Sequence, residues 1–188
     1  MPSCTLTIGF IDSSPAVANG TVYFPGAPHG DINSPTTLVG YNAAGTTGCS
    51  GTPKTCSPVW DSAGLGGVSP WWNSSPAVAN GVVYVGGTPD CPGCGPPSVD
   101  HNLYAFDATG TRLWTAPTGG QVLSSPAVAN GVVYVGSDDD NLYAFNATSG
   151  AKLWSSTTGG GVDSSPAVAN GVVYVGSNDG KLYAFGLP

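Results

Sequence analysis

The chain has 188 residues, and its 29 Gly and 17 Pro make long helices unfavourable. Eleven acidic and four basic residues give a formal net charge of −7, which provides no basic surface for nucleic acid or anionic lipid. No apolar run has the length of a membrane span. We therefore expect no nucleic-acid partner and no membrane insertion, while an apolar content of 40% is enough for one folded core.

The chain is built on a repeated octet, Ser-Ser-Pro-Ala-Val-Ala-Asn-Gly, which begins at Ser13, Ser74, Ser124 and Ser164. Each octet precedes an alternating run such as Val-Val-Tyr-Val-Gly. Three of the four repeats then contain Leu-Tyr-Ala-Phe, and three contain an apolar residue followed by Trp. The Asn-Gly pair favours a two-residue hairpin turn, because both residues accept positive φ. Each repeat therefore predicts four short antiparallel strands, named A to D in chain order.

Four-stranded repeats of about 40 residues are typical of an all-β fold, the β-propeller, in which blades surround a channel. The sequence predicts one domain over residues 1–188. Its four blades are expected at 13–63, 74–117, 124–157 and 164–188. In the third blade, strands A to D are expected near 125–129, 132–137, 141–146 and 151–156.

The two ends of the repeat array are expected to complement each other. Blade four stops after its strand C, and residues 1–12 contain an alternating segment, Cys4–Ile8. We predict that residues 1–12 are a closing strand for blade four, in the same chain or in a neighbouring one. The chain would then form a closed four-bladed ring, half of an eight-bladed ring made by two chains, or a longer assembly. Self-association is therefore expected.

The runs Val133–Trp154 and Val173–Phe185 resemble the repeat of the PQQ-like, quinoprotein-type propeller family. The resemblance extends from about Ser13 onward and implies a propeller. It points both to binding scaffolds, such as the outer-membrane assembly lipoprotein, and to quinone-dependent dehydrogenases. In the dehydrogenases, the resemblance implies a quinone and calcium held by adjacent cysteines and by Glu, Asn and Asp. This sequence has no adjacent cysteines and no Glu, so we expect no PQQ and no catalytic residues.

Two insertions interrupt the repeat, at residues 25–35 in the B–C loop of blade one and at 87–100 in that of blade two. Both loops should emerge on the same face, which makes them the expected binding surface. With their borders they contain Asp31, Asp90, Asp100 and four candidate zinc ligands, His29, Cys91, Cys94 and His101. The two-residue spacing of Cys91 and Cys94 suits zinc, but a disulfide is the favoured alternative.

Three further features are candidates for function. Cys49 and Cys56 bracket an insertion between strands C and D of blade one, and we predict that they form a disulfide. A disulfide implies an oxidising, extracytoplasmic compartment. The N-terminal residues have no secretory pattern, so an export signal is not expected within this chain. Cys4 remains as the odd cysteine, free or available to another chain.

The expected channel mouth contains Asp12 and Asp163, each of which directly precedes an octet. Two facing carboxylates would suit a cation such as calcium, and the alternative is a pair of solvated turn caps. Trp71 and Trp72 form an aromatic pair outside the repeat pattern. They are expected either to be buried or to stack on a sugar or a partner peptide. The recurring Trp and Tyr should pack between blades, and the Ser-Ser-Pro hydroxyls should bond to backbone amides.

The sequence therefore favours a non-enzymatic extracytoplasmic propeller that binds or assembles protein or carbohydrate partners through the loops of blades one and two. Two alternatives remain open. One is a quinoprotein dehydrogenase-like enzyme or a fragment of one. The other is a structural subunit whose chains assemble by strand exchange.

Overall fold

The computed structural model describes residues 4–5, 13–26, 37–52, 54–62, 73–87 and 100–187. Within these ranges all regular structure is β-strand. The strands are β1 Cys4–Thr5, β2 Ala16–Ala18, β3 Thr21–Gly26, β4 Thr37–Asn42, β5 Cys49–Ser50, β6 Lys54–Cys56, β7 Trp60–Asp61, β8 Ala77–Ala79, β9 Val82–Gly86, β10 Asn102–Asp107, β11 Arg112–Pro117, β12 Ala127–Ala129, β13 Val132–Gly136, β14 Asn141–Asn146, β15 Lys152–Thr157, β16 Ala167–Ala169, β17 Val172–Gly176 and β18 Leu182–Gly186. None of the described segments is a helix suited to crossing a bilayer.

Four of the five sheets are the predicted blades. Their strand orders are β2-β3-β4-β7, β8-β9-β10-β11, β12-β13-β14-β15 and β16-β17-β18. All pairs within the blades are antiparallel. In blade three, strand A begins at Ala127 rather than at Ser125. The reason is that Pro126 has no N–H and the Ser125 N–H bonds to the next blade instead of to strand B.

The turn between strands A and B has the predicted conformation in all four blades. Asn130 and Gly131 have φ values of 51° and 76°, and the other three Asn-Gly pairs agree with them within a few degrees. Positive φ at both central residues is the type I′ geometry, which matches the right-handed twist of the strands. The Asn-Gly pairs therefore fix the register of each hairpin.

Consecutive blades bury one another through one repeated set of side chains. One blade contributes a Tyr from strand B and a Leu and a small residue, Ala or Gly, from strand C. The next blade contributes two Val from strand B and a Tyr and a Phe from strand C. Between blades two and three these residues are Tyr84, Leu103, Ala105, Val133, Val135, Tyr143 and Phe145. The Trp of strand D reinforces the contact: Trp114 lies against Gly150, and its Nε1 donates to the Ala147 carbonyl at 3.1 Å. The predicted packing of Trp between blades is confirmed.

The outer face of blade one is covered by a hairpin from its own C–D insertion. Strands β5 and β6 form this hairpin, and a disulfide joins Cys49 to Cys56, as predicted. The two cysteines cluster with Phe24, Val39 and Tyr41, all of which are buried. The hairpin therefore occupies the side of blade one on which a preceding blade would pack.

The described part of the N-terminal segment lies on this hairpin and not on blade four. Strand β1 pairs in parallel with β6, so Cys4 is aligned with Lys54 and Thr5 with Thr55. This differs from the closing strand predicted for residues 1–12. The free edge of β6 provides the backbone groups that β1 uses. The other residues of that segment, and the Cys4 side chain, lie outside the described residues.

The outer face of blade four is not covered by any described residue. Among the described residues, no strand pairs with the outer edge of β18. Leu182 is 74% exposed, whereas the equivalent Leu142 of blade three is fully buried. The described parts of blades one and four do not join their sheets into a ring. Ring closure, in one chain or between two, therefore stays a prediction.

Candidate functional site

The inner ends of the blades are joined by a chain of serine hydrogen bonds. The second Ser of each octet donates its backbone N–H to the hydroxyl of the equivalent Ser one blade further on. The three bonds run from Ser14 to Ser75, from Ser75 to Ser125 and from Ser125 to Ser165, with lengths of 2.8, 2.9 and 3.1 Å. These hydroxyls fix the spacing of neighbouring blades at their first strands.

The first Ser of the octet acts within its own blade. The Ser124 hydroxyl accepts the N–H of Gly136 at 3.0 Å, and Ser74 and Ser164 make the same bond to Gly86 and Gly176. Ser124 is fully buried, so this bond satisfies an amide that water cannot reach. The prediction that the Ser-Ser-Pro hydroxyls satisfy backbone amides is confirmed in blades two to four. The buried Ser13 hydroxyl of blade one has no hydrogen-bond partner among the described residues.

A second recurring bond was not predicted from the sequence. An Asp in the B–C turn accepts the hydroxyl proton of the Tyr four residues later in strand C. The pairs are Asp100–Tyr104 at 2.8 Å, Asp139–Tyr143 at 2.5 Å and Asp179–Tyr183 at 2.8 Å. The Tyr143 hydroxyl also accepts the N–H of Gly119, so it connects the blade to the preceding D–A link.

Burial changes the titration of these groups. Burial raises the pKa of Asp100, although hydrogen bonds from Asn102 and Tyr104 oppose the change. For Tyr143, burial and the hydrogen bond to the Asp139 carboxylate raise the pKa to about 12. The pKa of Tyr104 is also raised, so Tyr104 and Tyr143 both remain protonated hydrogen-bond donors at neutral pH. The pairs are therefore fixed braces, and their signal in the sequence is an Asp four residues before the strand C Tyr of blades two, three and four.

Of the two residues predicted at the channel mouth, the structure describes Asp163, and Asp12 lies outside the described residues. Asp163 accepts a hydrogen bond from Asn178 Nδ2 at 2.9 Å and interacts with Asp138. Burial and the neighbouring Asp163 raise the pKa of Asp138 to about 6, with Asp139 and Asp140 adding to the shift. The structure therefore pairs Asp163 with a carboxylate of a B–C turn. Calcium between Asp12 and Asp163 stays a prediction.

Of the four predicted zinc ligands, the structure describes only His101. Its backbone carbonyl accepts the N–H and the hydroxyl of Thr118, at 2.7 and 2.8 Å. In the part of the chain that the structure describes, no three His, Cys or Asp side chains lie together as a metal site. His29, Cys91, Cys94, Asp31, Asp90, Trp71 and Trp72 lie outside the described residues, so zinc, the alternative disulfide and the aromatic surface stay predictions.

These blades, joined at their inner ends by serines and braced by Asp–Tyr pairs, define a repeat β-propeller of the PQQ type. The chain belongs to the family described as outer membrane protein assembly factor BamB, whose model matches residues 50–187. The resemblance inferred from the repeats is thereby confirmed. The search of curated proteins gives no match.

Solved structures share the fold at low sequence identity. BamB from Moraxella catarrhalis is 19% identical with a TM-score of 0.62, and the match covers 92% of this chain and 44% of that one. The computationally designed Ika4 protein is 14% identical with a TM-score of 0.67, and 97% of each chain is covered. The quinohemoprotein alcohol dehydrogenase ADHIIG from Pseudomonas putida HK5 is 18% identical with a TM-score of 0.60, over 91% of this chain and 28% of that one. The chain thus spans less than half of the BamB structure.

Proposed function

We propose that this chain is a non-enzymatic, extracytoplasmic propeller that binds or assembles other proteins through the loops of blades one and two. The observation that carries this proposal is the family match over residues 50–187, since the family is described as an assembly factor. A protein partner is therefore favoured over a carbohydrate. The Cys49–Cys56 disulfide supports an oxidising compartment.

The use of polar groups in the described blades also supports a scaffold. The octet serines of blades two to four and the Asp–Tyr pairs are engaged in hydrogen bonds within or between blades. A nucleophile or base needs a reacting atom that faces a substrate, whereas these groups face the protein itself. The blades then act as a rigid frame, on which the insertions at 25–35 and 87–100 are the variable elements.

The enzyme alternative is favoured by one observation, the structural likeness to a quinohemoprotein dehydrogenase. The residues do not fit the quinone and calcium, because the chain has no Glu and no adjacent cysteines. Among the described residues, no cluster of three or more His, Cys, Asp or Glu side chains is present that could hold the calcium ion. We therefore propose that no quinone is bound. Titration with the quinone and calcium should give neither a bound chromophore nor a thermal shift, and a saturable shift with alcohol oxidation would overturn the proposal.

The binding face is tested by exchanging one loop. Residues 87–100 are replaced by the short B–C turn of blade three, residues 137–139, which keeps the flanking strands. Cross-linked complexes from an extracytoplasmic extract are then compared for this variant and the original chain. We expect the variant to keep its thermal midpoint and to lose specific partners. Equal capture by both chains would contradict a binding role for this loop.

A further inference from the structure

The outer face of blade one is covered in a different way from the same face of blade two. In blade two, side chains of the preceding blade cover this face and form one buried cluster with it. In blade one, Phe24, Val39 and Tyr41 form the face, and the hairpin β5–β6 of the same blade packs on it. All three side chains are buried. The cover of blade one is therefore a local insertion, whose position does not depend on a neighbouring blade.

The disulfide is itself the part of the hairpin that packs on this face. Of the described hairpin residues, Cys49 and Cys56 are the two that belong to the hydrophobic cluster with Phe24, Val39 and Tyr41. Cys56 is buried, whereas Cys49 is partly exposed. The same bridge therefore joins the two strands and completes the apolar contact, so that opening it would weaken both.

The hairpin has a short hydrogen-bonded ladder. Its two strands are aligned at two positions, Cys49 with Cys56 and Ser50 with Thr55. Strand β1 adds a pairing of two residues at the other edge of β6. A ladder of this length is at best marginally stable unless a packed face or a crosslink supports it. We therefore expect the hairpin to leave the blade when the bridge is opened.

The residues under the hairpin differ from those that pack on a neighbouring blade. Val39 occupies the position at which the other three blades have the Tyr of the Asp–Tyr pair, and Phe24 occupies the position at which they have Val. In blade three this Tyr also bonds to the preceding D–A link through the N–H of Gly119. Blade one has no such hydroxyl at this position, so release of the hairpin would break no Asp–Tyr pair.

We propose that the β5–β6 hairpin is a redox-sensitive cap, which is closed on blade one while Cys49 and Cys56 are bridged and is released when a dithiol reduces the bridge. Release uncovers Phe24, Val39 and Tyr41 and leaves blades two to four folded. In an oxidising compartment the cap is closed. The cap belongs to the C–D insertion of blade one and is separate from the B–C loops of the proposed binding face.

The exchange is a two-electron reduction of the bridge. One thiolate of the dithiol attacks the sulfur of Cys49, the more exposed residue of the pair, and Cys56 leaves as a thiolate. The second thiol of the dithiol then attacks the mixed disulfide and releases Cys49. The two protons lost by the dithiol are taken up by the two cysteines. The products are two cysteine thiols and the disulfide form of the dithiol.

The probe is dithiothreitol, and hydrogen exchange of the full native chain is the main measurement. Reduction should speed exchange at the hydrogen-bonded amides of residues 49–56 by at least about tenfold, because the bridge no longer limits opening of the hairpin. The amides of residues 142–145 in blade three should exchange at an unchanged rate. Fluorescence of the dye ANS should rise as the apolar face is uncovered, and reoxidation should reverse both changes.

Two double variants separate the bridge from other effects. Replacement of Cys49 and Cys56 together by Ser should give fast exchange and high ANS fluorescence without reductant, and dithiothreitol should not speed exchange at 49–56 any further. Ser50→Ala with Thr55→Ala is the matched control, because this pair is aligned in the same ladder and is exposed. The control should keep the cap closed until the bridge is reduced.

Three outcomes overturn the proposal. The first is equal exchange at 49–56 in the oxidised and reduced chains, and the second is faster exchange there without a rise in ANS fluorescence. The third is loss of protection at 142–145 on reduction, because the whole array would then unfold instead of releasing a cap. None of them bears on the loop-mediated function, since the insertions at 25–35 and 87–100 contain neither cysteine of this bridge.

Discussion

Blades three and four have nearly the same sequence and very different burial. Strands A and B are identical in the two blades, and both strands C contain Leu-Tyr-Ala-Phe. Leu142 is nevertheless fully buried while Leu182 is 74% exposed. The difference arises from the neighbour: blade four covers blade three, and no described residue covers blade four. In such repeat proteins the blade sequence determines the sheet, and the interface between blades provides much of the stability.

The outer faces of the first and last blades differ in how described residues cover them. Blade one would expose Phe24, Val39 and Tyr41, but the disulfide hairpin covers them. Blade four has no equivalent cover among the described residues. Among the described residues, the outer face of the first blade is therefore covered and that of the last blade is not.

The largest expected effect separates the two equivalent leucines. Leu142→Ala removes a fully buried side chain between two blades and should lower the free energy of unfolding by about 2–5 kcal/mol. Leu182→Ala removes an exposed side chain and should change it by less than about 0.5 kcal/mol. Urea denaturation of both variants measures the contrast. Similar losses would show that another part of the chain buries Leu182 in solution.

The next effect tests the cover on blade one. Replacing Cys49 and Cys56 together by Ser should cost about 2–3 kcal/mol, the chain-entropy value for a short loop. Reduction of the original chain should bring its denaturation midpoint to that of the reduced double variant. If reduction also destabilises the double variant, another disulfide contributes, and Cys91 with Cys94 is the predicted pair.

The strands, the turns and the Cys49–Cys56 disulfide were predictable because their signals are local. Asn130-Gly131 specifies its own turn, and Cys49 and Cys56 are only seven positions apart. The pairing of β1 with β6 was not predictable, because a parallel pair between distant segments leaves no periodic pattern. The contact of Asp138 with Asp163 was missed for the same reason. The Asp–Tyr hydrogen bond could have been predicted from the sequence, because Asp precedes Tyr by four residues in three blades.

A smaller effect compares two of these braces. Asp139→Ala leaves the Tyr143 hydroxyl without its acceptor inside the array and should cost about 1–3 kcal/mol. Asp179 makes the same bond to Tyr183 at the open end, where its partner Lys181 is well exposed. Asp179→Ala should therefore cost less. The two urea midpoints provide the measurement, and an equal loss at both positions would contradict a dependence on the covering blade.

The smallest effect concerns the residue at which the B–C turns of the two blades differ, Asp138 in blade three and Asn178 in blade four. Burial and the nearby Asp163, Asp139 and Asp140 carboxylates raise the pKa of Asp138 from 3.8 to about 6. The native state therefore holds this proton more tightly than the unfolded state does. Stability from this group is present at low pH, falls as the pH rises from about 4 to about 6, and is constant above that range.

Asp138→Asn places the residue of blade four in blade three and removes this titration. The variant should be more stable than the original chain at pH 7, and the difference should shrink as the pH is lowered through 6 towards 4. Thermal midpoints measured for both proteins at half-unit pH steps provide the test. Asp163→Asn is the control from the other side of the contact and should reduce the same pH dependence. A difference that stays constant from pH 4 to pH 7 would show that Asp138 and Asp163 do not interact in solution.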